Sequence, residues 1–95
     1  MERWEGKVAV VTGASGAVGA AICSELCRAG LIVCGLAKRK DKVEQLRVSL
    51  FGAKGKLNAV ECDITNEQSV KTAYGWIEKT LGGIDLLVNN AAVVR

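Results

Sequence analysis

A chain of 95 residues, 49% hydrophobic and 24% charged with no proline, has the composition of one small folded domain, which excludes a disordered, collagenous or low-complexity segment. Its 13 basic and 10 acidic residues leave a net charge of only +3, scattered along the chain, so no basic footprint for nucleic acid is expected. The absence of histidine removes imidazole acid–base chemistry and imidazole metal ligands, and no metal centre is expected.

No apolar run approaches the ~20 residues that a membrane-crossing helix needs. The opening Met1-Glu2-Arg3-Trp4-Glu5 lacks the apolar stretch of a secretory signal. The four cysteines, Cys23, Cys27, Cys34 and Cys62, contain no Cys-x-x-Cys pair. They are expected to be reduced thiols in the interior of an intracellular, cytoplasmic protein. With aromatics at 4%, that interior must be built from Val, Ile, Leu and Ala.

In chain order, residues 7–12 (KVAVVT) form a short β-branched run ending in a glycine-rich turn, the pattern of a strand buried on both faces. Val18, Ile22, Leu26 and Ala29 then fall on one helical stripe that Gly30 stops. Residues 31–36 are a second continuous apolar run. Val43, Leu46 and Leu50 mark a second helix with a charged outer face, ending near Gly52. Residues 57–62 read as a weaker third strand. Thr65 with Gln68 three positions later predicts a capping box. Val70, Ala73, Ile77 and Leu81 continue it as a third amphipathic helix, closed by Gly82-Gly83. Residues 84–89 (IDLLVN) are a fourth strand.

The result is β-α-β-α-β-α-β over residues 1–95, one domain without internal repeat. Such alternation implies parallel strands joined by right-handed crossovers. The expected fold is α/β, a Rossmann-type doubly wound sheet in strand order 3-2-1-4. Ligands of such sheets bind at the switch point between strands one and four, outside the carboxyl ends.

The strongest local signal is the first strand-to-helix turn, Thr12-Gly13-Ala14-Ser15-Gly16-Ala17-Val18-Gly19. Glycines there let the chain turn sharply and bring backbone N–H groups and a helix N-terminus against an anion, typically a pyrophosphate. No Gly-Lys-Ser/Thr follows, which excludes a P-loop. With this turn, Cys62-Asp63-Ile64 after strand three and Leu87-Val88-Asn89-Asn90-Ala91 at strand four, the chain resembles the short-chain dehydrogenase/reductase family over its whole length. The opening Trp4-Glu5-Gly6-Lys7-Val8-Ala9-Val10-Val11-Thr12 also looks like that family's start. Within it, the chain is most like the NADP-dependent animal enzymes of broad alcohol or steroid specificity.

The resemblance implies residue roles. Gly13, Ser15, Gly16 and Gly19 would line the pyrophosphate and ribose-phosphate side of the coenzyme. Asp63 would accept a hydrogen bond from the adenine amino group, with Ile64 against the ring; a cap or a solvated loop acid is the alternative for Asp63. Asn89 would pin strand four to the central sheet or touch the coenzyme. Asn90 and Ala91 would lie along its ribose. At the end of strand two the family's NAD enzymes place an acid for the ribose 2′-hydroxyl. This chain has Ala37 there, followed by Lys38 and Arg39. A guanidinium grips phosphate oxygens bidentately and a lysine adds a point charge, so NADP(H) is the expected coenzyme. The plainer alternative is a solvated basic helix start, which the helix dipole disfavours.

Two positions depart from the family pattern. Ala17 stands where the middle glycine of Thr-Gly-x-x-x-Gly-x-Gly belongs, with Gly16 one residue early, and Ala92 replaces the glycine of Asn-Asn-Ala-Gly. The family's catalytic Tyr-x-x-x-Lys pair and its Ser lie beyond strand four and are not in these 95 residues. The lone tyrosine, Tyr74, has Glu78 four positions on and reads as structural. The expectation is therefore an NADP-dependent alcohol/carbonyl oxidoreductase present as its coenzyme-binding half, inactive alone and carrying no catalytic residue. The alternatives are a non-catalytic nucleotide-binding or interaction module, associating with itself or with full-length relatives, or an incomplete gene product. Leu86, Leu87 and Val88 should form an exposed sheet edge.

Overall fold

The computed structural model of the chain describes residues 5–89. Seven elements alternate: β1 (Val8–Thr12), α1 (Ala17–Arg28), β2 (Ile32–Ala37), α2 (Asp41–Ser49), β3 (Lys56–Glu61), α3 (Glu67–Leu81) and β4 (Leu86–Val88). All strand pairs are parallel and the order is β3-β2-β1-β4, as the alternation requires. The chain thus has the doubly wound α/β architecture read from its sequence. Val10 of β1 pairs with Cys34 on one side and Leu87 on the other, so β1 is an inner strand, between β2 and β4.

Continuous apolar strands are buried on both faces because helices cover both. Ala9 and Val11 join Cys23, Cys27, Leu31, Val33 and Val43 in the core under α1 and α2. Val8 and Val10 point the other way, with Cys34, Leu36, Ala73 and Ile77 under α3. Period-two alternation along β1 divides one strand between two cores.

Two sequence expectations are corrected. The deepest line of α1 is Gly19, Cys23 and Cys27, while Val18 is 64% exposed and Ile22, Leu26 and Ala29 only flank the core. Small residues sit innermost because α1 lies close on the sheet, and the bulkier stripe is turned outward by one position. The N-cap of α3 is Asn66, whose Oδ1 accepts from the Ser69 N–H at 3.1 Å, and not Thr65. Thr65 is diverted: its N–H and hydroxyl both donate to Asp63 Oδ1, at 3.0 and 2.6 Å. Gln68 reaches Thr72 at 3.4 Å instead of turning back to a cap.

β4 spans three residues, shorter than the six expected, yet it is firmly placed. Asp85 just before it accepts the Val8 N–H on Oδ2 and donates its own N–H to the Val8 carbonyl, each at 2.8 Å.

Candidate functional site

The β1–α1 turn leaves the carboxyl end of β1 and returns as α1. Gly13 has φ +66°, a left-handed conformation that a side chain disfavours, and its carbonyl accepts the Gly16 N–H at 3.2 Å. The Ala14 N–H donates to the Leu36 carbonyl at 3.1 Å, fastening the turn to the end of β2. Gly16 is the N-cap of α1, and no side chain caps that helix or places an acid in its first turn. The first turn of a helix has N–H groups without intrahelical partners, and a helix N-terminus carries partial positive charge. By contrast α2 has Asp41 and Glu44 in its first turn, and α3 has Glu67. Gly19, one turn in, is buried against the sheet, so it serves close packing of α1.

Beside this turn lies a cleft of about 600 Å³ lined by Ser15, Lys38, Arg39, Lys42 and Glu61. Three segments build it: Ser15 comes from the β1–α1 turn, Lys38 and Arg39 from the β2–α2 turn with Lys42 from the first turn of α2, and Glu61 from the end of β3. The cations and Glu61 form no ion pair with one another or with any other described residue. Cationic side chains gathered at the amino end of α2 oppose its dipole, which an anion in the cleft would relieve.

Asp63 and Ile64 lie beyond the walls of that cleft. Asp63 Oδ1 is held by Thr65, and these two hydrogen bonds, helped by the nearby charge of Lys38, keep its carboxyl below the usual range. Its N–H donates to Ser69 Oγ at 2.9 Å. Asp63 is therefore an ionised acceptor that also ties β3 to α3. Ile64 is partly buried and packs against the core under α3. Asn89 Oδ1 accepts from the Thr12 hydroxyl at 3.1 Å, the link between β4 and β1 expected of it. Asn90, Ala91 and Ala92 lie outside the described residues. Ala17 is the first residue of α1, and its exposed side chain lies along the outer face of that helix with Val18 and Ala21.

Sequence reasoning missed Lys42 and Glu61. Lys42 carries a legible signal, lying in the first turn of α2 and continuing the basic run Lys38-Arg39-Lys40. Glu61 carries none, because only the register of β3 on β2, with Glu61 opposite Ala37, brings it to the cleft.

Elsewhere among the described residues no group offers competing chemistry. Tyr74 is partly buried, and burial raises its phenol further from neutrality. All four cysteines are free and buried, with their thiols raised by burial. Among the described residues no acid or cysteine group is arranged to hold a metal, and no helix is long and apolar enough to cross a membrane.

Residues 7–95 match the family model described as short chain dehydrogenase. The chain belongs to the short-chain dehydrogenase family. It is 51% identical over 96 residues to a farnesol dehydrogenase of Aedes aegypti, which covers 100% of this chain and 39% of that enzyme. A metagenomic short-chain oxidoreductase in complex with NADP superposes with a TM-score of 0.88 at 34% identity, over 94% of this chain and 40% of the other. An NAD+-bound xylitol dehydrogenase does so with a TM-score of 0.87 at 30% identity, over 96% and 35%. This short-chain dehydrogenase sequence thus spans about two fifths of the length of such relatives. The glycine turn, the uncapped α1 and the cationic cleft fit a nicotinamide dinucleotide, the coenzyme of the family.

Proposed function

We propose that this chain is the coenzyme-binding part of a short-chain dehydrogenase that takes NADP(H) and interconverts alcohols and carbonyl compounds. The observation that carries the coenzyme choice is the cleft of Ser15, Lys38, Arg39 and Lys42 beside Ala37, where an NAD enzyme would hold an acid. The solved relatives include both an NADP and an NAD+ complex, so the preference rests on these side chains.

Gly13 and Gly16 hold the turn open, so that the α1 N-terminus and the Ser15 hydroxyl meet the pyrophosphate and ribose-phosphate oxygens. Gly19 lets α1 approach the sheet, which aims those N–H groups. Arg39 supplies a planar fork and Lys38 and Lys42 point charges to a 2′-phosphate. The second Asp63 oxygen would be free to accept from the adenine amino group, with Ile64 available to the ring; the family likeness assigns Asn90 and Ala91 to the ribose side. The coenzyme, when bound, supplies the hydride. Orientation of the carbonyl and proton exchange fall to a Ser and a Tyr-x-x-x-Lys pair that these 95 residues do not contain. The purified chain should therefore bind coenzyme without turning over, and steady NADPH oxidation across carbonyl substrates would contradict this.

Calorimetric titration tests the coenzyme choice. The Lys38→Ala/Arg39→Ala variant should bind NADPH about tenfold or more weaker, the size of lost charge-assisted hydrogen bonds, with NADH changed less than about threefold. Equal losses for both coenzymes would remove the 2′-phosphate assignment, and no heat with either would remove the coenzyme reading.

A further inference from the structure

Glu61 is the last residue of β3, in register with Ala37 of the neighbouring strand. Adjacent strands lie about 4.8 Å apart, so its backbone stands one strand over from the position at which an NAD enzyme holds its acid. Its side chain lines the same cleft as Lys38, Arg39 and Lys42. Its carboxylate is exposed to the cleft and makes no side-chain hydrogen bond or ion pair with any described residue. It shares the cleft with three cations and is bonded to none of them, so a ligand phosphate held by those cations would meet an unpaired acid.

We infer that Glu61 is a specificity-determining residue of the cleft: its carboxylate opposes a 2′-phosphate and narrows the preference for the phosphorylated coenzyme that the three cations create. The inference rests on the 2′-phosphate reading of the cleft given above. The cations attract the extra phosphate while Glu61, within a Debye length of about 10 Å, repels it. The net preference is a difference between these effects, smaller than the count of basic residues implies. Glu61→Gln keeps size and polarity and removes only the repulsion.

The test compares adenosine 2′,5′-bisphosphate with adenosine 5′-monophosphate, which differ only by the 2′-phosphate, on the full chain by calorimetry. Glu61→Gln should raise the ratio of their affinities roughly three- to tenfold at low salt, as removal of one screened charge predicts. The gain should fade above about 0.5 M NaCl, which a change of packing would not do. An unchanged ratio would mean a solvated acid, and a lowered one a hydrogen-bond acceptor; each overturns the inference. Arg39→Ala, measured in parallel, separates the two levels. If it lowers the ratio while Glu61→Gln leaves it unchanged, only the role of Glu61 fails. If it leaves the ratio unchanged, the 2′-phosphate reading fails and this inference with it. Circular dichroism confirms that each variant is folded.

Discussion

Cys23 and Cys34 are fully buried beside the central strands, and burial raises their thiols from an ordinary 9.0 to about 11. A group that holds its proton more tightly when folded supports the fold fully below its unfolded pKa and loses that support as pH rises through the folded value. The melting temperature should therefore fall between about pH 9 and pH 11, and the Cys23→Ala/Cys34→Ala variant should show a shallower fall. Identical profiles would exclude the thiols as the cause. At the turn, Ala17→Gly restores the family's glycine, yet the methyl lies on the outer face of α1. Coenzyme affinity should stay within about twofold while the helix loses up to about 1 kcal/mol, measured by calorimetry and urea unfolding. Residue identity was enough to single out Lys38, Arg39 and Gly13, because charge and freedom at φ > 0 are properties of single residues. The hold of Thr65 on Asp63 was not legible, since one hydroxyl could either donate to Asp63 or accept from the free N–H groups at the start of α3.

At the scale of elements, helix and strand existence followed from apolar period, and boundaries followed from hydrogen-bond competition. Asn66→Ala should cost about 1 kcal/mol in urea unfolding, within the usual range for a lost N-cap, whereas Gln68→Ala should be nearly neutral. A large effect at Gln68 would restore the capping box that the sequence suggested. Gly55 shows what periodicity misses. Its N–H donates to the Cys27 carbonyl at 2.8 Å, where the end of α1 and the starts of β2 and β3 converge. A Cβ there would collide with the Leu31 carbonyl oxygen and fall 2.8 Å from that of Cys27. Backbone cannot yield as a side chain can, so Gly55→Ala should destabilise by about 3 kcal/mol. In sequence the same glycine reads only as part of a polar turn between α2 and β3.

Over the whole molecule, β4 pairs with β1 on one side only among the described residues, and its Leu87 is 51% exposed. The outer face of α1 adds exposed apolar surface from Val18, with Ala21, Ile22 and Leu26 alongside. An unpaired apolar strand edge is a template for another chain. The 95-residue protein should therefore self-associate, and Leu87→Lys should shift sedimentation toward the monomer; a wholly monomeric parent would rule this out. Residue order was enough for the alternation of elements, the parallel sheet with its strand order, and the glycine turn with two of the cations near it. Those follow from local periodicity, right-handed crossovers and short motifs, each confined to neighbouring residues. Only the tertiary structure decided which side chains share the cleft. Ser15, Lys42 and Glu61 come from three elements separated by up to 46 positions, brought together by strand register and helix docking. Register is a relation between strands, which no single segment encodes, and it set an acid opposite Ala37 where residue types alone suggested only positive charge.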